Sequence, residues 1–265
     1  MEYDLLKYKG EYKTKLSKYP LIKEVSTNYS VRFEIGRRKI MLNETGERNE
    51  DIFTLMNECK NDARKYLKSD SPKIVKPSEE ILWCAVNEYE DLPKGVYEPI
   101  LKIDLSEAYW RKGVLEGIIS KKTEKAFKSL NYSHLKPEEE RKQKKLTRLK
   151  AFGSLATIKT VKIYKYGKLI DEWIECEKPL RSLYMAICEL VANDMQEIIT
   201  EVGGLYYYWD CLFVRVKDNK ENKIVKKIQE LGYKCTVEKD NATVIDTGDG
   251  LALHCEKSDV EYPLE

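Results

Sequence analysis

The sequence predicts an α+β protein in which an antiparallel sheet with packed helices carries an inserted helical hairpin. Three observations lead there. Two runs, Val96 to Leu105 and Leu205 to Val216, are dense in apolar and aromatic side chains over strand-like lengths. Between them, residues 106–157 read as an antiparallel helical hairpin, and residues 179–201 place apolar side chains at the three-and-four spacing of a helix. Residues 160–174 (TVKIYKYGKLIDEWI) read as a hairpin turning at Gly167 and Lys168.

In chain order, Tyr29 to Leu42 reads as a strand pair turning near Gly36, because Val31, Phe33 and Ile35 alternate with charged residues. Ile52, Leu55, Met56, Cys59, Ala63 and Tyr66 give a helix over 51–67. Residues 68–77 (KSDSPKIVKP) have linker composition, and Ser78 is placed to cap a short helix ending near Tyr89. The strand 96–105 ends in Asp104. A helix then runs from Ser106 to about Leu130, with Gly113 or Gly117 as a break. Pro137 suits the first position of a second helix, with Glu138, Glu139 and Glu140 in its first turn, and the pair forms an antiparallel hairpin. Pro179 opens a helix closed by Gly203 and Gly204. Residues 205–216 (LYYYWDCLFVRV) form a buried strand or tight hairpin around Asp210. A basic helix over 219–231 follows, then short strands within 234–254 with a turn at 247–250.

Composition narrows the chemistry. With 265 residues, 42% hydrophobic and 35% charged, the chain is expected to be a soluble globular protein of one large domain or two small ones. No stretch approaches the ~20 apolar residues of a membrane span, and residues 1–10 lack a secretory apolar core. No membrane partner is expected. A net charge of +2 excludes a uniformly basic nucleic-acid coat. The seven cysteines are odd in number and include no CxxC pair, and only two histidines are present, so a Cys/His zinc site and histidine acid–base catalysis are both poorly supplied. Free buried thiols fit a reducing, intracellular (cytoplasmic) location. Reaction chemistry therefore falls to carboxylates.

Asp104 and Asp210 each interrupt a strongly apolar strand context. A carboxylate buried in such a strand loses solvation unless something compensates. Side by side, the two would repel unless a cation bridged them, and Mg²⁺ is content with a couple of carboxylates plus substrate phosphates. Asp104 also stands where an ordinary helix N-cap would.

Asp104-Leu-Ser-Glu-Ala-Tyr109, between a strand and a helix, resembles motif A of polymerase palms, where a metal-binding Asp precedes an aromatic by five residues. Tyr208-Trp-Asp-Cys-Leu-Phe-Val214 resembles motif C. The segment Arg148-Leu-Lys-Ala-Phe-Gly-Ser-Leu-Ala156 looks like a degenerate motif B of family B DNA polymerases. Tyr208-Trp-Asp-Cys-Leu also matches the reverse-transcriptase Tyr-x-Asp-Asp-Leu box. The long helix before motif C and the helical pair between A and B favour family B. The resemblance covers roughly residues 96–216. It departs from the pattern where Tyr208 replaces the first acid of motif C and where Lys150 lies one residue late in motif B. Residues 1–95 show no paired-acid exonuclease motif, and the roughly 50 residues after motif C leave little room for a thumb.

The resemblance implies a palm over residues 96–111 and 158–265, a fingers-like helical hairpin over 112–157, and an N-terminal α/β region over 1–95 of unassigned role. It implies a DNA polymerase-type nucleotidyltransferase, small and without proofreading, of the kind a phage or mobile element encodes. Its partners would be a DNA primer–template, nucleoside triphosphates and other replication proteins. Two Mg²⁺ or Mn²⁺ ions about 4 Å apart would be held by Asp104, Asp210 and the Leu105 carbonyl. Tyr109 would lie under the nucleotide sugar and select deoxynucleotides. Residues 111–150 carry thirteen Lys and Arg against five Glu, and from this stretch Arg141, Lys145, Arg148 and Lys150 would grip the triphosphate. Arg37, Arg38, Lys223 and Lys227 would follow the nucleic-acid backbone. Two other readings stand beside this one: a catalytically silent palm that binds nucleic acid or a replication protein, and a reverse-transcriptase-like or primase-like enzyme.

Overall fold

The computed structural model describes residues 19–27, 30–43, 50–69, 84–86, 94–95, 97–133 and 135–264. The protein is α+β with antiparallel sheets. It divides into two units, Met1–Lys68 with Lys122–Tyr184, and Ser69–Lys121 with Met185–Glu265.

In the first unit, β1 (Ile22–Ser26), β2 (Ser30–Ile35) and β3 (Arg38–Asn43) form a meander whose turn carries Gly36 at φ 57°. Ile22, Val31 and Phe33 are its buried centre. The helix α1 (Glu50–Leu67) buries Leu55, Cys59 and Ala63 on one face, in keeping with the apolar spacing. Burial, reinforced by the charges of Asp62 and Glu58, pushes the Cys59 thiol up to about 12.

The expected long helix after Asp104 is broken at Gly117, whose φ of 74° ends a helical run. Two short helices result, α2 (Ala108–Leu115) and α3 (Lys121–Lys128). The next helix, α4 (Pro137–Gly153), starts at Pro137 as the sequence indicates. Within the first unit the Tyr132 and Thr147 hydroxyls share a buried 3.0 Å hydrogen bond, and Thr123 donates to Asp62 at 2.6 Å.

The hairpin of β6 (Ile158–Lys165) and β7 (Lys168–Cys176) turns at Tyr166 and Gly167, one residue earlier than expected. Its strand β6 pairs with β1, so the first sheet runs β3-β2-β1-β6-β7 and the hairpin belongs to the first unit.

The second unit holds a seven-stranded sheet in the order β12-β11-β10-β5-β9-β8-β4. Its strands are β4 (Cys84–Val86), β5 (Tyr97–Ser106), β8 (Tyr206–Tyr208), β9 (Cys211–Arg215), β10 (Lys234–Asp246), β11 (Leu251–Cys255) and β12 (Val260–Pro263). The expected helix over 78–89 is corrected where it is described: Cys84–Val86 is a strand paired with Tyr206–Tyr208, a ladder that overrides local helical propensity. Residues 70–83 and 87–90 lie outside the described residues. The strand β10 is 13 residues long rather than one of several short pieces, because ten of its residues pair with β5.

Two helices, α5 (Lys178–Val202) and α6 (Glu221–Glu230), complete the set. The sequence β5, α5, β8, β9, α6, β10 with sheet order β10-β5-β9-β8 is the β-α-β-β-α-β arrangement of ferredoxin-like folds. Everything from α2 to β7 is inserted between β5 and α5. Odd-numbered Leu101, Ile103 and Leu105 face Val191, Met195 and Ile198 of α5 and Ile224 and Ile228 of α6. Even-numbered Ile100 faces the opposite way with Phe213, Leu253 and Tyr262. On that second side the sheet curls: the Tyr262 ring lies 4.7 Å from Phe213, and the Tyr206 hydroxyl donates to the Pro263 carbonyl.

Candidate functional site

Strand period two explains where Asp104 stands. Its neighbours Ile103 and Leu105 are committed to the helix-packed side, so Asp104 projects to the other face, where it is exposed. Asp210 enters from a tight turn. Tyr208 pairs with Cys211, leaving Trp209 and Asp210 as the two turn residues, and Asp210 is half-exposed. The expectation that both acids sit inside buried strands is therefore corrected. One alternates outward and the other rides a turn, so neither carries the full desolvation cost of a buried charge.

The pairing of β5 with β9 brings the acids to one place. Asp104 lies opposite Cys211, and the Leu105 N–H donates to the Asp210 carbonyl at 2.9 Å. That hydrogen bond makes Asp104 and Cys211 a non-hydrogen-bonded pair, the type with Cα atoms about 4.5 Å apart and side chains closest together. The Cys211 thiol registers both charges: burial pushes it up first, and the Asp104 and Asp210 carboxylates add to the shift, against Lys102. On the other flank Asp104 pairs with Thr236 of β10.

Backbone strain flanks both acids. Trp209, immediately before Asp210, has φ 57°, and Glu107, three residues after Asp104, has φ 63°. Side chains as large as these rarely adopt left-handed backbone, and such residues persist where the surroundings over-determine them, often at functional sites. The Trp209 indole is 38% exposed and meets the Tyr208 ring edge-on at 6.2 Å.

A polar network that the sequence reading missed fixes α2 just beyond Asp104. The Lys112 ammonium donates to both Asp194 carboxylate oxygens, at 2.8 and 3.2 Å, and Asp194 also accepts from the Tyr233 hydroxyl. Arg111 donates to the Gly232 carbonyl at 2.9 Å. Burial and the Asp194 charge push the Tyr233 hydroxyl far up, so it stays a donor. The available signal was Asp194 itself, an acid on the apolar face of a helix. Tyr109, on the same α2, is half-buried against the helix-side core.

The remaining expected residues are distributed as follows. Arg141 and Lys145 are exposed on α4, Lys150 is half-buried, and the Arg148 guanidinium sits 6.0 Å over the Phe127 ring; all four belong to the first unit. Arg37 is exposed in the β2–β3 turn and Arg38 begins β3. In the second unit Lys223 is exposed, while Lys227 is held by Glu197 at 2.5 Å and Glu201 at 2.6 Å.

Asp104 and Asp210 offer hard oxygen donors. Among the described residues, no group of three or more His, Cys, Asp and Glu side chains could hold a metal ion. Two carboxylates fit an ion that brings most of its coordination shell as water and substrate phosphate oxygens, as Mg²⁺ does. Among the described residues, no helix is long and apolar enough to cross a membrane. No family model matches the chain, and no curated protein matches it.

Proposed function

We propose that the chain is a palm-type nucleotidyltransferase, similar to family B DNA polymerases, that adds deoxynucleotides to a DNA primer–template in the presence of Mg²⁺ or Mn²⁺. The observation that carries the reading is the pairing of β5 with the β8–β9 hairpin, which sets Asp104 opposite Cys211 and next to the turn residue Asp210. Two acids on adjacent strand ends, each flanked by a strained backbone residue, suit a reaction that needs charge fixed in space more than covalent help.

In this reading Asp104 and Asp210 hold the ions, with the Leu105 carbonyl as a further donor. Such ions, when bound, would supply Lewis acidity for nucleotidyl transfer. The chain's own part is positional. The β8–β9 turn fixes the Asp210 carboxylate, and the Lys112–Asp194–Tyr233 network holds α2, and with it Tyr109, in one setting. Lys145, Arg148, Lys150 and Arg141, all in the first unit, supply positive charge for phosphate groups. Arg37, Arg38, Lys223 and Lys227 supply it for the primer–template; Lys227 would first exchange its two glutamates. Tyr109 discriminates against a 2′-hydroxyl.

A silent palm that binds nucleic acid or a replication protein is the second reading. It is favoured by the absence, among the described residues, of any group of three or more His, Cys, Asp and Glu side chains that could hold a metal ion. Primer extension with Mg²⁺ or Mn²⁺ separates the two. Asp210→Asn keeps the side chain's size and is expected to lower extension at least a hundredfold, on the order of other lost electrostatic stabilisers. Extension equal to wild type in that variant removes Asp210 from the chemistry. No extension by the wild type, with salt-sensitive DNA binding intact, leaves the silent palm.

A further inference from the structure

Residues 168–174, seven in succession along β7, are exposed. Four are large and apolar: Leu169, Ile170, Trp173 and Ile174, at 49, 56, 36 and 71% exposure. The strand is last in the order of its sheet, so its outer side has no ladder partner among the described residues. Neighbours in a strand point to opposite faces, so Trp173 and Ile174 put apolar surface on both sides of this edge. Natural edge strands are normally short, charged, bulged or covered; β7 is charged and has an extra residue, Ile170, in its register with β6, yet its four exposed apolar side chains leave it a template for another strand.

The charges along the edge narrow down what would pair there. A second copy would join antiparallel about a two-fold axis through one residue position. Through Asp171 or Glu172 the axis sets that carboxylate against its own copy, through Trp173 it sets Asp171 against Glu175, and through Ile174 it sets Asp171 against Glu177. Through Ile170 it pairs only residues 168–172, because the turn intervenes at Gly167. Like charges directly opposite each other destabilise a ladder. Nucleic acid is disfavoured by the three carboxylates of β7, set against the lone Lys168.

The inner neighbour shows which chemistry β7 accepts. Strand β6 reads IKTVKIYK; its Lys162 ammonium lies 3.2 Å from Glu172, and its Lys159 stands opposite Glu175. We infer that β7 is a docking edge for an extended segment of another protein in which Lys or Arg alternates with β-branched or aromatic residues, added as a sixth strand. Main-chain hydrogen bonds would supply affinity, and Glu172, Glu175 and Ile174 selectivity. In the free protein the Asp171 carboxylate accepts the Glu172 N–H at 2.9 Å. That occupies one edge donor until a partner takes it.

The test uses the whole protein and two fluorescein-labelled peptides: the sequence of Ile158–Lys165, and the same sequence with its three lysines changed to glutamate. Anisotropy titration is expected to give at least tenfold tighter binding of the basic peptide, with slowed amide exchange in residues 168–176. The double variant Glu172→Lys, Glu175→Lys should lose that preference. Because Glu172 already serves β6, Ile174→Asp gives an independent arm at a site exposed enough to leave the fold intact, and should weaken the basic peptide at least tenfold. Equal affinity for both peptides, no binding of either, or unchanged binding by Ile174→Asp overturns the proposal. Amide protection of β7 that grows with protein concentration alone, without peptide, assigns the edge to a second copy and overturns it as well.

Discussion

Two hairpins in this protein share a local device and meet opposite fates. Each turns tightly with an aromatic residue at positive φ, Tyr166 at 47° between β6 and β7, and Trp209 at 57° between β8 and β9. In the first turn Gly167 follows, also at positive φ, as in the mirror-image turns that suit strand twist. In the second an acid follows instead. Strand β7 ends its sheet with its side chains in water, whereas Cys211, Leu212, Phe213 and Val214 of β9 are all buried between β5 and β8. The position of a strand in its sheet, more than its turn, decides whether it builds a core or offers a surface. The central hairpin can hold a carboxylate steadily because both of its flanks are fixed.

Substitution sharpens the contrast. Phe213 is fully buried and packs within 5.6 Å of Tyr206 and 4.7 Å of Tyr262, so Phe213→Ala is expected to cost about 3–5 kcal/mol in urea unfolding. Trp173→Ala on the exposed edge is expected to cost under about 1 kcal/mol. Similar costs at the two positions would break the comparison. Glycine at either turn aromatic relieves a left-handed backbone, so Trp209→Gly and Tyr166→Gly should each gain about 1 kcal/mol in the same assay. Only Trp209→Gly is expected to alter primer extension. A loss of extension in both would point to a global effect rather than a local one.

The smallest effect concerns acid. Glu177 directly follows β7 and is held below the usual carboxylate range, chiefly by hydrogen bonds from the Arg64 guanidinium at 2.7 to 3.1 Å. A depressed carboxyl contributes stability that is whole above its unfolded value near 4.3 and is lost as pH falls through its lower folded value. Thermal melts of Arg64→Gln should therefore lose part of the acid limb below about pH 4 and match wild type in shape above about pH 5.

Much of the fold was legible because its signals are local. Pro137 and the glycines at 203 and 204 mark helix ends, and the alternation at Val31, Phe33 and Ile35 marks a strand. The nearness of Asp104 and Asp210 was expected from two apolar runs each holding one acid and from their resemblance to motifs A and C. What failed was non-local. Cys84–Val86 is a strand because Tyr206–Tyr208 lies beside it, and the hairpin of 158–176 joins β1, more than 130 residues earlier. No window of sequence contains those partners. Lys112 was invisible for the same reason: it looks like an ordinary helix residue until Asp194, whose own signal is an acid on an apolar helix face, is 2.8 Å away.

The distance along the chain between the two acids has a kinetic consequence. Asp104 and Asp210 are joined only when β5 pairs with β9, closing a loop on the order of a hundred residues at an entropic cost that grows slowly with length. Within that loop, Lys122–Tyr184 folds as part of the other unit. A body already folded shortens the flexible span that must be closed, so folding of the insertion ahead of the β5–β9 ladder would lower the cost of closing it. Until that ladder forms, the two carboxylates belong to separate stretches of chain, and whatever chemistry they share waits on a long-range pairing rather than on local structure.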